Sequence, residues 1–102
     1  MVKLIALYRT PPDPQAFDRA YFETHLPLLR TVPGLRRTSL SRFTRTVMGE
    51  SFHLMAEMTF DDLVSLKAGM RSVAMAAAGK NLEGFASGLV TLMFAEEVPE
   101  SL

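Results

Sequence analysis

The sequence predicts an α+β domain built on a four-stranded antiparallel sheet with helices on one face. Three observations predict it. Strand-length segments fall at 2–9, 35–45, 52–60 and 89–98. Stretches with the three- and four-residue apolar spacing of helices lie between the first and second of these and between the third and fourth. Only a short turn, Met48-Gly49-Glu50-Ser51, leads into the third. The resulting order, strand, helix, strand, strand, helix, strand, joins two strand–helix–strand crossovers and gives the ferredoxin-like βαββαβ plan. At 102 residues the chain is one domain, 1–102, with one core.

Val2 to Arg9 is apolar on both faces and rich in Val, Leu and Ile, as a central strand requires. Thr10-Pro11-Pro12-Asp13-Pro14 ends it, because prolines supply no ladder donors. Pro14 then suits a first helical turn, with Asp13 as N-cap. Phe17, Tyr21, His25, Leu28 and Val32 form one stripe, with Arg19, Glu23 and Arg30 opposite. Pro27 cannot donate to the carbonyl of Glu23 and disfavours helical geometry at Leu26, so a kink or break is expected at His25 to Pro27. Pro33-Gly34 stops the segment.

From Arg30 to Arg45 there are five arginines and no acid, the signature of a guarded edge strand. In 52–60, Phe52, Leu54, Ala56, Met58 and Phe60 face one way and His53, Met55, Glu57 and Thr59 the other. Asp61 or Thr59 is placed to cap a second helical region in which Leu63, Leu66, Met70, Val73 and Ala77 share a face. Gly69, Gly79 and Gly84 divide that region into two or three pieces. The last strand, 89–98, runs out in Glu96-Glu97.

Composition excludes several classes. Eleven Lys+Arg balance eleven Asp+Glu, so the positive surplus of a nucleic-acid binder is missing. There is no cysteine, and therefore no disulfide, thiolate nucleophile or Cys-ligated metal. His53 and Glu57 stand ~13 Å apart along a strand, too far to share a metal whose ligand bonds are ~2 Å long. Gly79-Lys80 lacks the rest of a P-loop, and no Gly-x-Ser-x-Gly elbow occurs. No metal and no cofactor are expected. Nothing approaches the ~20 apolar residues of a membrane span. Arg9 interrupts the first apolar run before a signal-peptide core forms, which reads as a cytoplasmic protein.

A sheet covered on one side leaves a second face, on which either Ile5 and Leu7 or Leu4, Ala6 and Tyr8 must lie, with Met55 and Met93 as candidates to join them. A homodimer with sheets face to face would cover it, the arginine-rich second strand of one copy meeting Glu96-Glu97 of the other.

His25 is the leading candidate for chemistry, since a neutral imidazole can accept and return a proton near neutrality. The alternative is a structural histidine bonding a carbonyl freed by Pro27. Tyr21, one turn earlier on the same face, and Tyr8 on the first strand are candidate ligand-binding hydroxyls. Met55, Met58, Met70, Met75 and Met93 fit either an adaptable cavity or plain core.

Tyr21-Phe22-x-x-His25-x-Pro27-Leu28, then Pro33-Gly34-Leu35, then Leu82-x-Gly84-Phe85-Ala86 together resemble the EthD family over nearly the whole chain. The run of small residues from Ser72 to Ala78 departs from its pattern. The resemblance implies a dimeric α+β barrel related to antibiotic-biosynthesis monooxygenases, muconolactone isomerases and some polyketide cyclases, with His25 as the recurring polar residue. It further implies an oxidoreductase of the monooxygenase type, or a cyclase or isomerase, acting in the breakdown of a small apolar or aromatic compound. Its alternative is a non-catalytic binding or accessory protein beside a partner oxygenase.

Overall fold

A computed structural model describes residues 1–101. The elements are β1 (Val2–Arg9), α1 (Pro14–Ala20), a π-helical turn (Tyr21–His25), α2 (Leu26–Leu29), β2 (Arg37–Arg42), β3 (Phe52–Phe60), α3 (Leu63–Met70), α4 (Val73–Ala86) and β4 (Val90–Glu96). The four strands form one antiparallel sheet in the order β2-β3-β1-β4. This is the ferredoxin-like α+β arrangement the sequence predicts, with both outer strands shorter than expected.

Register decides the facing that the sequence left open. Leu4, Ala6 and Tyr8 of β1 are buried with Leu54, Ala56, Met58 and Phe60 of β3, and this row packs under the helices. Ile5 and Leu7 therefore lie on the open face, beside Met55 and Met93. There Lys3 Nζ also meets Glu57 Oε1 at 3.2 Å. Tyr8 belongs to the helical side.

His53 breaks the expected alternation. Tyr8 pairs with Leu54 but Arg9 pairs with Phe52, which leaves His53 as the extra residue of a bulge. Its ring turns toward α1, edge-on to Phe17 at 5.3 Å. Its Nε2 lies 2.7 Å from Asp18 Oδ1, while Asp18 Oδ2 accepts from Arg42 Nη1 at 2.7 Å. One carboxylate thus ties α1 to both β3 and β2.

The helix starts are capped by side chains: Asp13 accepts from the Ala16 amide, Asp62 from Ser65 and Ser72 from Met75. Asp62 rather than Asp61 or Thr59 caps α3, because Asp61 is engaged by the Arg36 guanidinium at 2.6 Å. The second helical region divides at Arg71–Ser72, not at a glycine, and the break rotates the buried face. Leu66 is buried on α3 and Ala78 and Ala86 on α4, while Val73 and Ala77 are exposed. Gly69 permits the close seating of α3, since a Cβ there would stand 2.9 Å from Phe60 Cε2 and 3.2 Å from the Pro33 carbonyl oxygen.

Candidate functional site

The four-residue spacing of Phe17, Tyr21 and His25 sets all three against the sheet. Beyond Tyr21 the helix widens, and the Leu26 N–H donates to the Tyr21 carbonyl five residues back. The expected kink at His25 to Pro27 is therefore a wide turn just ahead of the proline. That ring size accommodates a residue that has no N–H for the Glu23 carbonyl. Ordinary spacing resumes when the Arg30 N–H donates to Leu26 at 3.1 Å. The extra residue rotates the C-terminal part of the helix by ~100°. Leu26 and Leu29, in place of Leu28, continue the buried stripe to Val32.

Between this helix, α3, α4 and the sheet lies a cavity of about 210 Å³. Leu4, Ala6 and Tyr8 of β1 and Met58 of β3 form its floor, and Met70, Met75, Ala78 and Leu82 its far wall. The Ser72–Ala78 stretch thus helps to build the wall. Three of the five methionines singled out in the sequence line the cavity; Met55 and Met93 lie on the other face of the sheet. Leu92 of β4 is the rim: it points to the helical side yet is 48% exposed, because no helix covers it.

His25 and Tyr8 supply the polar side chains of this wall. His25 is 3% exposed, and its Nδ1 lies 3.0 Å from Oδ1 of Asn81 on α4. Among the described residues its Nε2 has no hydrogen-bond partner. Burial pulls its pKa below the usual histidine value, against a smaller upward pull from the Asn81 bond, so the ring is neutral at neutral pH. Burial pushes the Tyr8 phenol far up, aided by neighbouring Tyr21, and keeps it a protonated donor.

Tyr21 has no exposed surface and is wedged between Tyr8 and His25, with ring centroids 5.6 and 5.4 Å away. Burial pushes its pKa up to about 12, opposed by the charge of Arg30. Its hydroxyl has no partner among the described residues. The three residues singled out from the sequence are therefore neighbours, two on the cavity wall and one behind it.

Asn81 was missed. It stands three residues after buried Ala78 and four before Phe85, whose ring lies 5.4 Å from His25. An amide on an otherwise apolar helix face was the available signal. Among the described residues no three His, Asp or Glu side chains come together as metal ligands, and no helix is long and apolar enough to cross a membrane.

The family model of the EthD domain matches residues 9–88. A crystal structure of an ethyl tert-butyl ether D (EthD) family protein from Bacillus halodurans C-125 is 52% identical, with a TM-score of 0.91 over 96% of this chain and 99% of that one. An uncharacterized 11.0 kDa protein from the thcB-thcC intergenic region of Rhodococcus erythropolis is 28% identical over 95% of each chain. A dimeric ferredoxin-like protein of unknown function from Jannaschia sp. CCS1 shares the fold at 18% identity, with a TM-score of 0.68 over 95% of this chain and 100% of that one.

Proposed function

The chain belongs to the EthD family, and on that footing we propose that it is a small homodimeric enzyme in which His25 moves a proton on an apolar or aromatic compound held in the cavity. The observation that carries this reading is an apolar cavity on whose wall a neutral imidazole keeps one unbonded nitrogen beside a protonated phenol. Size narrows the ligand. A cavity of about 150 Å³ takes up benzene, so about 210 Å³ suits one ring with a short substituent. Tyr8 orients an oxygen of the ligand. Tyr21 holds Tyr8 and His25 in place and offers an unspent hydroxyl. Proton removal of this kind begins isomerisations and cyclisations, and it also prepares a carbon for oxidation by dioxygen, the monooxygenase-type form of the reading.

The homodimer in this proposal buries the open sheet face through Ile5, Leu7, Met55 and Met93. Support comes from the apolar character of that face and from the description of the Jannaschia protein as dimeric. Glu96, opposite Val2 in the register, lies on the helical side and takes no part in that contact; Glu97, 4.0 Å from Lys3 Nζ, is the acid left to meet the arginine-rich second strand of the other copy. Sedimentation at micromolar concentration checks the dimer, and a strictly monomeric species would exclude it.

For the cavity, a thermal-shift screen of small phenols and ethers is run on the native protein and on His25→Ala. Stabilisation by one-ring compounds and loss of turnover in the variant are expected. Unchanged binding and unchanged turnover in His25→Ala would leave His25 a structural residue, and the protein a binding or accessory module beside a partner oxygenase.

A further inference from the structure

His25 meets the amide of Asn81 through Nδ1, and the atom it meets is the amide oxygen, at 3.0 Å. Two lone pairs cannot face each other at that distance, so the proton of the neutral ring must sit on Nδ1 and be donated to Asn81. A neutral imidazole carries only one such proton. Nε2 is then a bare acceptor, the one ring nitrogen left for a molecule in the cavity. The apolar wall around it offers no competing donor apart from the Tyr8 hydroxyl.

We propose that Asn81 is a positioning residue that locks His25 in its Nδ1–H tautomer, so that the cavity selects ligands that donate a proton, such as phenols and enols, over ethers and ketones that only accept one. This rests on the reading of the cavity as a ligand site and gives it a chemical class. In the step it allows, the ligand's O–H bond breaks, an N–H bond forms at Nε2, and the electron pair stays on the ligand oxygen. That oxygen becomes a stronger acceptor for a Tyr8 hydroxyl hydrogen bond. The proton returns to the product from Nε2, and no oxidant is consumed in the exchange. An ether in the same place can accept from the Tyr8 hydroxyl but has no hydrogen to give Nε2, which is left a buried, unmatched acceptor.

The test uses uniformly 15N-labelled protein. The ring nitrogens of His25 are assigned by their disappearance in His25→Gln, then read in the native protein, in Asn81→Leu and in Asn81→Asp. In the native protein a pyrrole-type shift is expected at Nδ1 and a pyridine-type shift at Nε2. Asn81→Leu should allow the opposite tautomer, and Asn81→Asp, which keeps an acceptor at the same place, should retain the native one. A pyrrole-type Nε2 in the native protein would overturn the proposal and leave the cavity reading standing. The same samples are titrated with phenol and with anisole. Phenol is expected to bind about tenfold tighter, the value of one matched hydrogen bond, and to move the Nε2 resonance. Equal affinity would overturn the stated ligand class, and so would a failure of both probes to bind, which would also remove the cavity reading while the tautomer measurement still decides the role of Asn81.

Discussion

The two histidines of this chain are linked to Phe17, His53 directly and His25 through the rings of Tyr21 and Phe85, yet they face opposite kinds of partner. His25 is sealed among aromatic rings and bonds a neutral amide; His53 sits at the rim of β3 and bonds the Asp18 carboxylate, which it shares with Arg42. A carboxylate with two partners is a clasp between elements. A neutral amide holding one ring nitrogen leaves the other free to act on something else. On the proposed reading the same residue type is structural in one place and reactive in the other, and the difference lies in the partner and the surroundings rather than in the ring.

Phe17 joins the two regions: it stacks with Tyr21 at 6.3 Å and meets both His53 and Phe85 edge-on at 5.3 Å. Phe17→Ala should cost about 3–5 kcal/mol in urea denaturation, the range for emptying a buried aromatic site. A loss below about 1 kcal/mol would mean that the two regions do not depend on one packing centre. A smaller effect is expected from Asp18→Ala. It removes both arms of the clasp, and because the clasp is part-exposed the cost should be about 1 kcal/mol. The His25 ring-nitrogen shifts should stay unchanged, and a tautomer change in that variant would show the two sites to be coupled.

Acid titration separates the sites with the smallest effects. His25 has a folded pKa below its ordinary 6.5, so the unfolded chain takes up a proton first. Stability should fall as pH drops below about 6.5, and the fall should be absent in His25→Gln. Partial desolvation pushes the Asp18 carboxyl up, but the hydrogen bonds and charges of His53 and Arg42 together hold it below its ordinary 3.8. Its stabilising contribution is present above pH 3.8 and disappears as the pH falls through the lower folded value. Urea midpoints of the native protein, His25→Gln and Asp18→Asn across pH 3 to 8 would test the separation, and one shared transition would contradict it.

The interior strands were readable because two-residue alternation in β3 and a continuous apolar run in β1 each admit one placement. The stripe Phe17, Tyr21, His25 was readable for the same reason. Past His25 the prediction chose Leu28, since a pattern counted at 3.6 residues per turn cannot register an inserted residue. His53 was assigned to the wrong face because a bulge leaves no mark in the alternation until register is known. The stripe from Leu63 to Ala77 assumed one continuous phase, which the cap at Ser72 resets. Asn81 lies 56 positions from His25, and a contact of that separation has no local signature at all.

The π turn gives the first helical segment two independent phases. Residues before it are tuned by the aromatic cluster and the imidazole, residues after it by the aliphatic core at Leu26, Leu29 and Val32. The two ends present their side chains in different phases, so the residues that line the cavity and those that pack the core are chosen separately. Removing one residue between Tyr21 and His25 would fuse the phases and bring Leu26 to the position four residues after Tyr21 that His25 now holds. The turn therefore lets the cavity-facing part of the helix and its core-packing part be set separately.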